Sequence, residues 1–144
     1  MSKLAIALFM VFGVGAVSNV RAADERAAAP AQAKTRLFEM RTYIAHDGKL
    51  DALNARFKNH TNKLFVKHGM ELVGYWVPTD PEKSKNTLIY ILAYPSKEAR
   101  DASWKAFGSD PEWKAAAAES EKNGKLVKQV ISVFMTPTDY SPIK

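Results

Sequence analysis

The chain has 144 residues, of which 47% are hydrophobic and 25% are charged, a composition typical of a single globular domain. Its formal net charge is +6, but lysines and arginines are mixed with acidic residues and form no basic block, which argues against nucleic-acid binding. There is no cysteine, which excludes disulfides, a lipid-anchored cysteine and thiolate metal ligands.

The N-terminal segment has the pattern of a secretory signal peptide. Lys3 precedes an uncharged apolar run at residues 4–17, and the V-R-A sequence at 20–22 has the residues that a signal peptidase reads. At about 1.5 Å per residue, this run is too short to cross a hydrocarbon core of about 30 Å. We expect residues 1–22 to be removed by cleavage after Ala22, leaving a periplasmic or secreted protein without a membrane span.

Two further segments follow the leader. Residues 23–35 are rich in alanine and show no periodic apolar pattern, which predicts a flexible spacer before a folded domain at 36–144. Residues 36–43 alternate between apolar and polar side chains, as a strand with one buried face does. We expect Phe38 and Met40 to face the helices of the domain.

The next segments predict a helix and a second strand. Apolar residues recur at steps of three and four over residues 50–68, which predicts an amphipathic helix with Arg56 on its solvent-facing side. Gly69 is suited to end this helix, because glycine adopts the left-handed conformation most easily. Residues 70–77 are rich in β-branched and aromatic side chains and predict a strand.

The second half of the domain repeats this alternation. Residues 87–94 are apolar at nearly every position, as expected for a central strand that is covered on both faces. Ser96 and Asp110 are typical N-caps, and they predict a helix that is interrupted and then starts again at the proline after Asp110. Residues 126–135 predict the fourth strand.

The order β-α-β-β-α-β predicts an α+β, ferredoxin-like fold with a four-stranded antiparallel sheet. Two helices cover only one face of such a sheet. The third strand is nevertheless apolar on both faces, with Ile89 and Ile91 on one side and Tyr90 and Leu92 on the other. Because a large exposed apolar face is unusual on a soluble monomer, we expect a homodimer in which two sheets pack face to face as a dimeric α/β barrel.

Several motifs, in order along residues 36–142, resemble those of the NIPSNAP family of the dimeric α/β-barrel superfamily. They are FEMRTY, GKLDALNARF, HTNKLFVKHGMELVGYW, TLIYILAY, SDPEWKA and TPTDYSP. The resemblance implies the same ferredoxin-like fold and the same sheet-to-sheet dimer. It implies no particular reaction, because the family has no agreed one. Relatives in the superfamily include haem-degrading and quinone-forming monooxygenases and small stress-response proteins.

Two histidines lie on the first predicted helix. His60 and His68 are separated by about 12 Å of helical rise, too far to share a metal ion, and the chain has no HExxH or HxH motif, so we predict no metal site. His60 falls on the apolar stripe between Phe57 and Leu64, where it is either a hydrogen-bonded core imidazole or a polar group facing a pocket. His68 lies in the last helical turn, where a cation favours the helix dipole.

The first strand carries charges in a position where we expect burial. Glu39 and Arg41 lie on the same face as Tyr43. Buried charges are costly without a partner, so we favour a structural ion pair, either within the strand or with a neighbour, that fixes the register of the dimer. The functional alternative is that Arg41 anchors an anionic ligand while Glu39 orients it or acts as a base.

Aromatic side chains complete the candidate pocket. They normally pack in a core, but together with a few polar groups they suit a cavity for a flat or hydrophobic molecule. The candidate ligand-binding residues are Glu39, Arg41, Tyr43, His60, Tyr75, Trp76, Tyr90 and Trp104.

Three functional hypotheses follow from these residues. The leading one is an exported dimeric barrel that binds a small hydrophobic or aromatic molecule or a protein partner, without cofactor and without established catalysis. The alternative is a cofactor-independent or haem-linked monooxygenase-like enzyme with His60 and Arg41 as its polar centre. The third is a purely structural interaction module.

Overall fold

The computed structural model describes residues 36–144, and the expected signal peptide and spacer lie outside them. The strands are β1 (Leu37–Ala45), β2 (Glu71–Trp76), β3 (Thr87–Tyr94) and β4 (Val127–Met135). The helical segments are α1 (Leu50–Arg56), a π-helical turn (Phe57–Thr61), α2 (Asn62–Lys67), a short 3-10 turn (Lys83–Lys85), α3 (Lys97–Ser109) and α4 (Pro111–Ser120). Among the described residues, no helix combines the length and apolar character needed to span a membrane.

The strands form one antiparallel sheet in the order β2-β3-β1-β4. Arg41 at the centre of β1 is paired with Tyr90 of β3 on one side and with Ser132 of β4 on the other. Tyr75 of β2 is paired with Tyr90 on the far side of β3. This sheet and the order of the elements confirm the predicted ferredoxin-like α+β fold.

Two helix starts and one helix end lie where the sequence predicts them. The Ser96 hydroxyl accepts a hydrogen bond from the backbone N–H of Ala99 at 3.2 Å, and the Asp110 carboxylate accepts one from the N–H of Glu112 at 2.8 Å. Both residues are therefore the N-caps expected from the sequence. Gly69 has a φ of +78°, the left-handed conformation that ends the first helical segment.

The first helical segment contains a turn that the sequence did not predict. Between α1 and α2, residues Phe57–Thr61 form a π-helical turn, in which the N–H of Asn62 bonds the carbonyl of Phe57. This wider turn places Thr61, rather than His60, on the buried side together with Phe57. His60 is exposed, so the prediction that it lies on the buried stripe is wrong.

The core lies between the helices and one face of the sheet. Phe57 is at its centre, with its ring centroid 5.1 Å from that of Tyr90, and Phe65 packs 4.8 Å from Phe107. The buried residues that complete the cluster are Ala45, Leu50, Leu53, Leu64, Met70, Leu88, Leu92, Tyr94 and Leu126. Aromatic contacts at these separations stabilise a core beyond the area they bury.

The prediction that Phe38 and Met40 face the helices is wrong. Glu39 and its alternate neighbours on β1 face the helices, since Glu39 bonds Arg100 and Trp104 of α3. Adjacent strand residues point to opposite faces, so Phe38 and Met40 lie on the side away from the helices. Glu39 is fully buried on the helix side, because Arg41 and Arg100 donate hydrogen bonds to its carboxylate there.

The second face of the sheet, which we call the open face, carries no helix and is apolar. Trp76, Ile131 and Val133 on this face are 50%, 46% and 43% exposed. The C-terminal residues 136–144 cover only one part of it, where they border a groove of about 300 Å³ next to Phe38. The apolar character of both faces is thus present as expected, while the second copy that would cover the open face stays a prediction.

Candidate functional site

A buried carboxylate organises the helix-facing side of β1. The side chain of Glu39 has no exposed surface, and its Oε1 accepts hydrogen bonds from Arg41 Nη1 at 2.7 Å and from Arg100 Nη2 at 2.8 Å. Its Oε2 accepts a second bond from Arg100 Nε at 2.9 Å. Arg100 therefore binds the carboxylate in the bidentate manner that is strongest for this pair. Glu39 therefore forms an ion pair within the strand, with Arg41, and also one with a neighbour, Arg100, while a role in dimer register stays a prediction.

Three neutral groups complete the shell around Glu39. Ser132 Oγ donates to Oε1 at 2.6 Å, while Tyr94 Oη and Trp104 Nε1 donate to Oε2 at 3.1 and 3.2 Å. Burial alone raises the pKa of Glu39, but the hydrogen bonds from Arg100 and Ser132, with the charge of Arg41, outweigh burial and lower this pKa to about 2. Glu39 is therefore a carboxylate that holds neighbours in place and is poorly suited to be a general base near neutral pH.

Arg41 links this cluster to the aromatic side chains beside it. Its guanidinium carbon lies 4.3 Å from the ring centroid of Trp104 and 5.6 Å from that of Tyr43. Its Nε is buried and has no hydrogen-bond partner within residues 36–144. Tyr43 and Trp104 are consequently held against a fixed cation, an arrangement that favours both ring positions.

A cavity of about 230 Å³ lies next to Tyr43 and Trp104, between the sheet and the two helical segments. Six aromatic side chains line it: Tyr43, Phe57, Phe65, Trp104, Phe107 and Trp113. The other lining residues are Arg56, Thr61 and Gly108. The aromatic walls with few polar groups are typical of a site for a small apolar molecule.

Arg56 contributes the positive charge at this cavity, and the prediction that it lies on the solvent-facing side of its helix is wrong. Its side chain is only 5% exposed, and its Nη1 donates to Ser120 Oγ at 3.3 Å and to Glu121 Oε1 at 3.1 Å. Its guanidinium carbon lies 5.2 Å from the ring centroid of Trp113. The residues around Arg56 do not indicate that its side chain is buried. Its burial depends on the approach of α4, which is distant along the chain.

Tyr75 and Tyr90 lie behind the cavity rather than in its lining. Their rings are stacked with centroids 5.4 Å apart, and both contact Phe57. Neither hydroxyl has a hydrogen-bond partner in the described part of the chain. Burial raises the pKa of both phenols. These two residues support the cavity wall from the sheet.

The remaining candidates lie apart from this cavity. His60 borders two shallow surface grooves against α4, and Trp76 lies on the open face of the sheet. The structure thus brings Tyr43, Trp104, Glu39 and Arg41 together, but not these two. Whether any of the eight candidate residues binds a ligand stays a prediction.

His68 has a partner that the sequence did not indicate. Its Nε2 lies 2.7 Å from Asp110 Oδ2, and Lys67 Nζ lies 2.7 Å from the same oxygen. The hydrogen bonds from Lys67 and His68 hold the pKa of Asp110 well below its usual range. This contact joins the end of α2 to the start of α4. Across residues 36–144, no three His, Asp or Glu side chains are grouped closely enough to hold a metal ion.

The sheet and its helices define a small ferredoxin-like α+β protein. The sequence model of the NIPSNAP family matches residues 38–142. The chain therefore belongs to the NIPSNAP family, and the resemblance noted from its motifs is confirmed. No curated protein gives a significant match to the chain.

Several solved structures share this fold. A NIPSNAP family protein of unknown function from Agrobacterium tumefaciens is 22% identical over 77% of this chain and 96% of that one, with a TM-score of 0.66. A monooxygenase from Streptomyces coelicolor, in complex with the ligand nanaomycin D, is 16% identical over 75% and 92%, with a TM-score of 0.53. A cofactor-independent oxygenase from Streptomyces nogalater is 13% identical over 75% and 98%, with a TM-score of 0.50. At these identities the similarity shows the fold alone.

Proposed function

We propose that this protein binds a small hydrophobic or aromatic molecule in the cavity between its sheet and its helices. The observation that carries the proposal is the set of six aromatic side chains around a space of about 230 Å³. An apolar cavity of about 150 Å³ is large enough to bind benzene. The larger cavity here therefore suits a molecule of about two fused rings.

The Glu39 cluster supports this proposal by fixing the cavity wall. Trp104 Nε1 donates to both Glu39 Oε2 and Tyr94 Oη, at 3.2 and 2.9 Å, so its indole plane is held by two bonds. Arg41 stacks on the same indole. A wall fixed before the ligand arrives lowers the entropy that binding must overcome.

Gly108 offers a direct test at the cavity. It lines the cavity, and a Cβ added at this position meets no atom within 4 Å. Gly108→Phe should fill the space and abolish binding of a two-ring probe such as 2-ethylnaphthalene, measured by equilibrium dialysis. The matched variant Gly108→Ala should still bind the probe. Equal binding by both variants would place the probe elsewhere and refute the proposed site.

We further propose that a second copy of the chain covers the open face and that the protein is a homodimer. The support is the exposed apolar set on that face, which includes Trp76, Ile131 and Val133. Contiguous apolar patches of this kind mark interaction surfaces. Light scattering at low micromolar concentration should give a mass about twice that of one chain, and a monomer mass would refute the dimer.

We propose export on the basis of the leader sequence alone. Residues 4–17 and the V-R-A sequence at 20–22 carry this proposal. Mass spectrometry of the protein from the periplasm or medium should find a mature N-terminus at Ala23. A protein that retains Met1 in the cytoplasm would refute it.

A monooxygenase-like activity is the second candidate function. The observation that favours it is the fold shared with a monooxygenase that holds nanaomycin D and with a cofactor-independent oxygenase. In such a reaction, 1-naphthol and O₂ would give 1,4-naphthoquinone and water, in which the ring is oxidised and one oxygen atom is reduced to water. An oxygen electrode tests this activity with 1-naphthol as the substrate. Oxygen uptake by the natural protein should exceed uptake by Gly108→Phe, and equal uptake would exclude catalysis in this cavity.

The haem-linked form of this alternative has no support from the cavity. No histidine is among its lining residues, and His60, the expected polar centre, is exposed elsewhere. Its volume of about 230 Å³ also lies below the range of about 300 to 1,000 Å³ that accommodates larger ligands. Addition of haem should therefore produce no Soret shift that depends on Gly108.

A further inference from the structure

The open face of the sheet has two ends that differ in how far they are covered. At the end where β1 begins and β4 finishes, Phe38 is 6% exposed and Ala93 has no exposed surface. Residues 136–144, which we call the tail, line the groove at this covered end. At the opposite, uncovered end, Trp76 and Ile131 are 50% and 46% exposed. A single chain therefore covers only half of its own open face.

The tail is held in place at the covered end. Arg36, directly before β1, donates a hydrogen bond to the backbone carbonyl of Lys144 and also pairs with Glu71 at the start of β2. Ile143 lines the groove together with Val73 of β2, and it is itself 50% exposed. The end of the tail therefore lies beside β2 and presents an apolar side chain outward.

Trp76 occupies the uncovered end of the same strand, β2, in a fixed position. A Cβ added at Gly74 would lie only 2.6 Å from Cη2 of the Trp76 indole. The indole therefore lies over Gly74, where the absence of a side chain leaves room for it. A half-exposed tryptophan that is ordered before association is typical of the residues that contribute most to protein interfaces.

Twofold symmetry, which is the commonest in dimers, restricts how two open faces can meet. When sheets pack in the aligned manner, the axis lies either along the strands or across them. An axis along the strands would set tail against tail, and the two tails would hold the sheets further apart there than the usual distance of about 10 Å. An axis across the strands sets each tail against the uncovered end of the other copy, and it places β2 opposite β2.

We propose that two copies of the chain pack in this second arrangement, so that Ile143 in the tail of one copy contacts Trp76 of the other. This inference rests on the proposed homodimer. Both side chains are apolar and 50% exposed in the single chain, and the contact covers them both. Twofold symmetry makes the same contact twice in each dimer.

Cross-linking tests this arrangement, because the natural chain has no cysteine. Tagged Ile89→Cys chains are mixed with untagged Ile143→Cys chains and treated with a short bismaleimide. Ile89 is paired with Trp76 in the sheet, so this variant keeps the tryptophan in place. The mixture should give a covalent product of one tagged and one untagged chain. Tagged Val66→Cys, substituted at an exposed position on the helical side, is the matched control and should give no such product.

The strength of association tests the contact without cross-linking. Trp76→Ala should weaken the dimer by about thirtyfold or more, as the loss of a central interface tryptophan does. Gly74→Ala should also weaken it, because the added methyl group displaces the indole. Gly108→Ala has room for its methyl group on the helical side and should leave sedimentation unchanged. Association of Trp76→Ala and Gly74→Ala equal to that of the natural chain would overturn the inference.

Failure of the dimer and failure of the arrangement give different results. A monomer mass for the natural chain in light scattering would overturn the proposed homodimer and the inference with it. A dimer in which Ile143→Cys chains are linked only to each other would place tail against tail and overturn the inference alone. A dimer that gives no product between Ile89→Cys and Ile143→Cys chains would also overturn the inference alone.

Discussion

The two faces of the sheet differ in the chemistry of their side chains and in how far these are covered. The helix-facing side buries charge, and Glu39 there accepts six hydrogen bonds from Arg41, Tyr94, Arg100, Trp104 and Ser132. The open face buries no charge and leaves Trp76 half exposed. The helix side is therefore stabilised within one chain by specific partners, whereas the open face leaves apolar side chains exposed. The polarity of the residues along a strand therefore does not show which of its two faces packs against the helices.

The largest effect is expected where the charge is buried. Glu39→Gln removes the negative charge that Arg41 and Arg100 share, and breaking a buried ion pair costs about 3–5 kcal/mol. Chemical denaturation should show a loss of this size in the free energy of unfolding. Glu71→Gln is the control, because its ion pair with Arg36 is on the surface and should cost less than about 1 kcal/mol. Similar losses in both variants would remove the contrast between the two sites.

The stability of the protein at acid pH should depend on the same carboxylate, that of Glu39. The folded-state pKa of Glu39 is lowered from 4.5 to about 2, so the folded protein binds this proton less tightly than the unfolded chain. The stability from this group is fully present above about pH 4.5 and is lost as the pH falls through about 2, a total of about 3 kcal/mol. Denaturation curves between pH 6 and pH 2 should fall more steeply for the natural protein than for Glu39→Gln. Parallel curves would contradict the lowered pKa.

The open face is tested by a matched pair of valines. Val133 lies on the open face and is 43% exposed, while Val66 lies on the helical side and is 59% exposed. Val133→Lys should weaken the proposed dimer by at least about tenfold, because an ammonium group would be buried without a partner. Val66→Lys should leave the mass in sedimentation unchanged. Loss of the dimer in Val66→Lys alone would move the interface to the helical side.

The smallest effects on stability are expected at two tyrosines on the helix-facing side. Within the described part of the chain, the hydroxyl of one is hydrogen-bonded and that of the other is not. The Tyr94 hydroxyl donates to Glu39 at 3.1 Å and accepts from Trp104 at 2.9 Å, so Tyr94→Phe should cost about 1 kcal/mol. The Tyr75 hydroxyl is buried with no partner in the described residues. Tyr75→Phe should therefore be neutral or stabilise the protein by up to about 1 kcal/mol. Thermal unfolding should show a lower melting temperature for Tyr94→Phe but not for Tyr75→Phe, and equal losses would contradict this assignment.

Some features of the candidate site were readable in the sequence and others were not. The pairing of Glu39 with Arg41 follows from their positions two residues apart on a strand, and Tyr43 and Trp104 were among the expected aromatic residues. Arg56 was missed, because a charged residue on an amphipathic helix is normally read as solvent-facing. The prediction that His60 is buried was wrong, because it assumed ordinary α-helical periodicity. The π-helical turn at Phe57–Thr61 changes which residues lie on the buried face.

The amino-acid pattern by itself determined the strands, the helices, their caps at Ser96 and Asp110, and the excess of apolar residues on the sheet. These depend on local periodicity and on backbone preferences, which a single segment carries. Only the tertiary structure decided that Glu39, not Phe38, faces the helices, and that Arg56 is buried. Those outcomes depend on partners distant in the chain, Arg100 and Glu121, whose hydrogen bonds offset the cost of burying charge.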